Sequence, residues 1–589
     1  MSASLHIFAR LHDDKKACTL TYTDNTSRNT FTTALPKLVA IALEAPFQYN
    51  EELGAALYHL LDGDGRYLTQ ARDRARHAGE NLVLRLELDT ALQDLPFELL
   101  HDGRFLLPNE IHLIRNVGDR GRDRQLVPSD RPLKLLFMAC SAVGVEPELD
   151  FEKEEDAIFR ATEGLPIEII VEDSGSLDGL AEKLKTERFD LIHLSGHAGL
   201  DQSGAPFFLM ENDEGGKHEV YPEGLWRTLR LNPPHVLFLA GCQTGQSDPN
   251  QATGSYAQQL VSEGIPVVLG WGRPVYDIGA TEAAKQLYFE LSRGNNLASA
   301  VLACRCNLAE AQHFAVNSVW PLLRLFADAT PFTPLVTPNQ KLKPTARKLT
   351  HAYLAGTQVK ILTAGFVGRR RQIQDGLRVL RHGQDDPANP KVGVLLHGTA
   401  GLGKSCLAGK LIERLSDKDT TLVVVHGRLD AVTFDTALRE AFVRAQNATG
   451  LTILDQKKEM AEKIPMLCAG PLQEKRTLIL FDDFEQNFVH DGKDGEAVPI
   501  FRDGNPVLQP TVAAVLQALL RHLPTTAGMT SLVITSRYLF RASENDADLI
   551  SSRLAAIGLT SFRAAELVSV REIKITQNLI SFYFFIILL

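Results

Sequence analysis

The chain has 589 residues, more than one hydrophobic core usually serves, so three or four compact units are expected. With 44% hydrophobic and 23% charged residues it is neither a disordered polymer, a collagen-like fibre nor a polytopic membrane protein. Its 62 basic and 72 acidic residues leave a formal charge of −10, so no global positive field draws it onto nucleic acid. The seven scattered cysteines make a poor disulfide framework, and the charged N-terminus (MSASLHIFARLHDDKK) lacks the apolar stretch of an export signal. Both features predict a reducing, cytoplasmic setting.

Residues 1–79 read as a lead-in, with an amphipathic helix near 51–61, and an extended segment follows near 82–88. From there to residue 329 short apolar runs at 133–139, 167–171, 191–194, 236–240 and 267–269 alternate with helix-like segments. That alternation predicts an α/β unit with a mostly parallel sheet covered on both faces. Pro331, Pro334, Pro338 and Pro344 then mark a linker over 330–360. A second α/β unit over 361–565 follows from runs at 392–396, 421–425, 478–481 and 532–535. Residues 566–589 break with everything before them. Their apolar end (LISFYFFIILL) is roughly half of the ~20 residues a spanning helix needs, so no membrane partner is expected. A truncated or frame-shifted end and a short hydrophobic plug are equally good readings of this tail.

In the first unit DLIHLSGHAG ends a buried run at His197, and HVLFLAGCQTG ends another at Cys242. In an open parallel sheet, reactive groups gather outside the carboxyl ends of the strands. A thiol and an imidazole delivered there can form a nucleophile and base, with adjacent glycines letting backbone N–H groups approach an oxyanion. A buried structural cysteine and a structural histidine would give the same pattern. His193, four strand residues before His197, is about 13 Å away along the strand and belongs to the core, not to a shared metal site. Cys304 and Cys306 read as helix residues, and the arginine-rich stretch 115–131, interleaved with aspartates, reads as a solvated loop.

LDTALQDLPFELLHDGRFL (from Leu88), DLIHLSGHAG, VLFLAGCQTG, the WGRPVYD segment and SVWPLLRLFAD together resemble the CHAT domain, a caspase-like cysteine peptidase domain, over residues 80–329. The resemblance implies a catalytic dyad of His197 and Cys242, with the N–H groups of Ala198 and Cys242 as oxyanion donors. Ala198 stands where a glycine is usual, and Ala240 stands where caspases carry the glutamine that helps to bind aspartate. Asp248 and Asp277 could neutralise a basic substrate side chain, although a loop acid and a helix N-cap account for them more simply.

In the second unit GTAGLGKS fits the phosphate-binding glycine loop between a strand and a helix: Gly398, Gly401 and Gly403 expose backbone N–H groups, Lys404 reaches phosphate, and the Ser405 hydroxyl is placed for Mg²⁺. LILFDDFE is an apolar strand ending in acids, with Asp482 for the Mg²⁺ shell and Asp483 or Glu485 to orient a water. Arg537, after LVITS, is suited to sensing a γ-phosphate. With FVGR these motifs resemble the STAND class of AAA-related P-loop NTPases, which includes NACHT proteins, and the resemblance places Gly368 and Arg369 near an adenine. ATP and Mg²⁺ are therefore the expected cofactors. The combined expectation is an ATP-regulated caspase-like cysteine endopeptidase, the effector of a signalling, conflict or programmed-death system. It would act on a protein substrate and form homo-oligomers through the NTPase unit, with no nucleic-acid partner. A catalytically inactive CHAT adaptor in a nucleotide-dependent scaffold is the alternative.

Overall fold

A computed structural model describes residues 3–560 except 25–26, 45–48, 119–126, 147–150, 173, 242–248, 274, 276, 329–330, 342–349, 354–359, 365–368, 492–498, 503 and 543–548. The chain divides into two compact units, Met1–Lys343 and Pro344–Leu589.

The first unit is built on one large sheet. Its strands are β1 (Ser4–Leu11), β2 (Ala17–Thr23), β3 (Arg28–Ala34), β4 (Leu82–Leu88), β5 (Ile111–Asn116), β6 (Leu133–Ala139), β7 (Ile167–Glu172), β8 (Leu191–Leu200), β9 (Pro206–Glu211), β10 (Lys217–Val220), β11 (Val236–Gly241), β12 (Val267–Trp271) and β13 (Leu323–Ala327). They run in the order β10-β9-β8-β11-β12-β13-β5-β4-β1-β2-β3, and β6 and β7 lie off this path, with β6 beside β8. The pairs β7/β6, β6/β8, β8/β11 and β11/β12 are parallel, as are β13/β5, β5/β4 and β4/β1. Sequences such as LKLLFMA and VLFLAG are apolar at nearly every position because both faces are covered. Alternate residues serve separate cores: Leu135, Phe137, Phe238 and Ala240 enter one, while Leu136, Met138, Leu237 and Leu239 enter the other.

Residues 1–79 are more than a lead-in. Strands β1, β2 and β3 extend the sheet beyond β4, and the inward positions Leu5, Ile7, Cys18 and Leu20 pack in the same core as Leu57 and Leu61 of the helix Glu51–Asp62. The Asn50 side chain caps that helix, accepting from Leu53 N at 2.9 Å. The proline segment also belongs to this unit as far as it is described: Leu335 and Val336 are buried, and Ser129 N donates to the Leu335 carbonyl. The basic stretch is not solvated at its first end, while near its other end Val127 is exposed and Arg131 stays partly exposed. Arg115 lies buried on β5 against Glu98, and Arg131 donates to both oxygens of buried Asp190. A guanidinium leaves water when a carboxylate and carbonyls can satisfy its fork of donors. Residues 119–126 between them lie outside the described residues.

The second unit contains an antiparallel pair, β14 (Thr350–Tyr353) and β15 (Lys360–Ala364), then β16 (Gly393–His397), β17 (Thr421–His426), β18 (Thr477–Asp482), a small hairpin of β19 (Phe501–Arg502) and β20 (Asn505–Pro506), β21 (Thr530–Ser536) and β22 (Leu554–Gly558). Five of these form an all-parallel sheet in the order β17-β18-β21-β16-β22. Two apolar cores pack on it, one holding Ile479, Phe481, Leu532 and Ile534 and the other Leu478, Leu480 and Val533. The atypical tail, 566–589, lies outside the described residues.

Candidate functional site

In the first unit the site is set by β8. Its first half pairs in parallel with β6 and β11, and from His197 onward it continues past the sheet edge to pair antiparallel with β9. His193 and His197 occupy positions of one parity, so the strand turns both rings to the same face. His193 is fully enclosed: its ring stacks on Phe238 at 4.7 Å, meets Phe137 edge-on at 5.1 Å, and has the Tyr288 hydroxyl 2.5 Å from Nδ1. Burial drives its pKa down to about 3, which keeps the ring neutral. His197 is also buried, but it sits at the carboxyl edge, where its backbone is aligned with Leu209 of β9. Gly196 just before it has no room for a side chain, because a Cβ would come within 2.8 Å of Phe208 and 3.1 Å of the Cys140 Cβ. Ala198 is aligned with Phe208 and packs toward the core on the other face.

Strand β11 lies in parallel register with β8 from Val236↔Leu191 to Gly241↔Gly196. The next residue, Cys242, and likewise Asp248, lie outside the described residues. Asp277 opens the helix Asp277–Ser292. Cys304, as expected, lies on a helix, Leu297–Glu310, together with Cys306.

A group that sequence reasoning did not single out lies on β12 and its neighbours. Gly272, directly after β12, is packed against Arg324 of β13, whose Nε a Cβ would approach to 2.4 Å. Arg324 donates to the Asp94 carbonyl at 2.8 Å, and Arg115 donates to the Gln93 and Leu95 carbonyls while its fork grips Glu98 at 2.9 and 2.7 Å. Segment 90–100 is thus tied across β13 and β5 by buried charge. A glutamate between Phe97 and Leu99 in an otherwise apolar run was the available signal, since such a carboxylate needs a cation. Arg273 stacks over the Tyr49 ring at 4.5 Å.

The second unit gathers its polar groups at the carboxyl edge of the five-stranded sheet. Gly398, Gly401 and Gly403 all have left-handed or otherwise positive φ (147°, 83° and 85°). The loop they form joins β16 to the helix Lys404–Leu415, whose start carries no side-chain cap, leaving its first N–H groups for an anion. Lys404 is buried and donates to the Gly398 and Thr399 carbonyls, both at 2.9 Å. Burial lowers its pKa, and the nearby charge of Glu485 offsets part of that effect. Ser405 follows it in the first helical turn.

Across the sheet Asp482 ends β18, accepting from Thr535 Oγ1 at 2.7 Å with His426 Nδ1 at 3.1 Å; Thr535 Oγ1 also accepts from Asp483 N at 3.0 Å. Glu485 accepts from Arg537 Nε at 2.8 Å through one oxygen, while its other oxygen is buried without a partner. Burial, followed by the charge of Asp483, raises its pKa. Arg369 is buried and donates to the Leu402 carbonyl in the glycine loop and to the Thr560 carbonyl beyond β22, at 3.3 and 2.7 Å. Gly368 lies outside the described residues. Among the described residues no cluster of side chains could hold a metal ion by itself, and no helix is long and apolar enough to cross a membrane.

No curated protein matches the chain by sequence. Among solved structures it is similar to Saccharomyces cerevisiae separase in complex with securin, at 10% identity and a TM-score of 0.34, covering 55% of this chain and 30% of separase. It is also similar to the Arg-specific cysteine proteinase gingipain R, at 9% identity and a TM-score of 0.32, covering 52% of this chain and 71% of that one. The chain therefore spans less than a third of the separase chain it resembles. Residues 51–348, just over half of the chain, match the CHAT domain, and the chain belongs to the CHAT-domain family.

Proposed function

We propose that the protein is a caspase-like cysteine endopeptidase whose activity is gated by a nucleotide-binding unit in the same chain. The observation that carries the peptidase reading is the register of β8 and β11: the strand bearing His197 at its carboxyl edge lies beside the strand that ends at Gly241, one residue before Cys242. His197 would take the thiol proton as Cys242 sulfur adds to a peptide carbonyl, then return it to the leaving amine; water releases the acyl group, with the Ala198 and Cys242 N–H groups as oxyanion donors. The protein substrate and the role as an effector in a signalling, conflict or death system are part of this proposal.

The second unit fits a nucleoside triphosphate with Mg²⁺. Its uncapped helix start, the glycine loop and buried Lys404 suit phosphates, and the partnerless Glu485 oxygen is a buried acceptor that a water attacking the terminal phosphate would satisfy. Ser405 and Asp482 would hold the Mg²⁺, which supplies charge neutralisation at the phosphates when bound. Arg537 would leave Glu485 for the terminal phosphate, and Arg369, through its contact with Leu402, would set the loop beside the base. Nucleotide can gate the peptidase, by oligomerisation through this unit, only if it binds the two arrangements of the chain unequally.

The test is labelling of purified protein by a thiol-directed acyl probe, together with peptide substrate profiling, in the wild type, Cys242→Ala and His197→Ala, with and without ATP and Mg²⁺. Labelling lost in both variants and stimulated by nucleotide is expected. Labelling that survives His197→Ala, or an unreactive Cys242, would remove the peptidase and leave the adaptor reading.

A further inference from the structure

The large sheet of the first unit ends differently at its two sides. At one side β10 is four residues long and presents Lys217, His218 and Glu219 to solvent, the kind of short, charged edge that repels another strand. At the other side β3 is seven residues long, reads RNTFTTA, and is exposed or half-exposed at every position. It has no proline or lysine, its only charge is Arg28 at one end, and it pairs with β2 without a bulge from Thr23↔Arg28 to Ala17↔Ala34. Among the described residues no strand pairs with its outer edge. Apolar side chains are open here as well: Phe31, whose ring lies 5.3 Å from that of Tyr67, is still 49% exposed, and Leu38 and Ile41 on the helix Lys37–Ala42 that follows β3 are 43% and 49% exposed.

We infer that β3 is the two-fold contact of a homodimer, in which the sheets of two copies join edge to edge by antiparallel β3–β3 pairing centred on Phe31. The strand fits its own reverse. In that register Phe31 meets Phe31, Thr30 meets Thr32, and Asn29 meets Thr33, so that the one charge, Arg28, falls opposite Ala34 and away from its own copy. Threonine pairs already join β3 to β2, with Thr19 and Thr32 hydroxyls 3.2 Å apart and Thr21 and Thr30 hydroxyls 3.1 Å apart, and the same chemistry would repeat across the axis. A two-fold interface presents one patch to itself, so the exposed Phe31 of each copy would be covered by its counterpart. One strand pair with a few apolar side chains is smaller than the ~800 Å² per partner of a standard stable interface, so the dimer is a reversible one that a concentration series resolves.

Sedimentation velocity of the full chain from about 1 to 100 μM should show a concentration-dependent dimer. The double variants Thr30→Lys/Thr32→Lys and Thr30→Glu/Thr32→Glu should each be monomeric, and their equimolar mixture should dimerise. Opposite residues of an antiparallel pair have Cα atoms about 4.5–5.5 Å apart, within disulfide range. Mild oxidation should therefore link Phe31→Cys to its own copy, with the bridge mapped by peptide mass spectrometry, and should leave Thr30→Cys unlinked. This arm keeps the test decisive if a charged variant fails to fold by circular dichroism. A wild type that stays monomeric, dimers that persist in both charged variants, or linking at position 30 as efficient as at 31 would overturn the inference.

Discussion

Replacing Glu98 by glutamine should cost the first unit several kilocalories per mole. Glu98 is completely buried, its two oxygens are gripped by Arg115 at 2.9 and 2.7 Å, and Arg324 Nε lies 4.0 Å away. Burial alone would push the carboxyl pKa up, but the charge and hydrogen bonds of Arg115, then the charges of Arg324 and Arg305, outweigh it and hold the pKa below its ordinary value. Glutamine keeps the shape and one acceptor oxygen but leaves the guanidinium groups without their counter-charge. Breaking a buried pair by removing one partner costs ~3–5 kcal/mol, and at roughly 2 °C per kcal/mol for a unit of this size the melting temperature should fall by ~6–10 °C. A depressed carboxylate contributes stability above its unfolded pKa and loses it as pH falls through the folded one. The gap between wild type and Glu98→Gln should hold steady from about pH 8 to 5 and narrow only below about 4.3. Differential scanning calorimetry reads this, because a chain of two units need not melt as a single transition. A loss under ~1 kcal/mol, or a gap already closed at about pH 6, would refute the account of this cluster.

His193→Phe should leave the pH profile of Cys242 labelling unchanged between about pH 5 and 8, since His193 is held neutral well below that window, whereas His197→Ala should abolish labelling. Gly196→Ala should destabilise the first unit by roughly 1–3 kcal/mol in denaturant unfolding and reduce labelling with it, because the new methyl meets Phe208 and Cys140 on the strand that carries His197. In the second unit Lys404→Ala should weaken a fluorescent ATP analogue by about 10- to 100-fold in titration, the loss of charge-assisted hydrogen bonds to phosphate. Thr535→Val should cost ~1–3 kcal/mol in unfolding of that unit, because Asp483 N and the Asp482 carboxylate both lose their shared hydroxyl.

The parallel strands were legible because burial on both faces writes them as unbroken apolar runs. β6, β11, β18 and β21 appear where LKLLFMA, VLFLA, LILF and LVIT predict them, to within a residue or two at each end. The strands β1 and β2 carry a different signal, strict alternation with a buried residue at every second position, and could have been read from it. β3 has no buried position, so local pattern gives it little signal and only its pairing with β2 defines it. The proline segment misled in a similar way: its prolines do exclude helix and central strand, yet Leu335 and Val336 between them are buried, and an extended chain packed on a domain looks like a linker until its contacts are known.

The candidate sites were legible to different depths, and the difference is physical. A strand that must end at a reactive edge ends on small residues, so LSGHAG and LAGC announce where His197 and the approach to Cys242 stand, and the aligned Gly241 and Gly196 follow from sheet register. The glycine loop is visible because positive φ at Gly398, Gly401 and Gly403 restricts the residue type. What holds those edges in place is marked only in part. Glu98 in its apolar run asks for a cation, but which arginines answer it shows only when β13 brings Arg324 beside β5 and Arg115. Motifs constrain the atoms that would touch a substrate one residue at a time, whereas the support beneath them is a property of pairs. A pair is invisible to any reading of a single chain that lacks its contacts, and for that reason the Glu98 and Gly196 substitutions probe the support more directly than any change to the dyad itself.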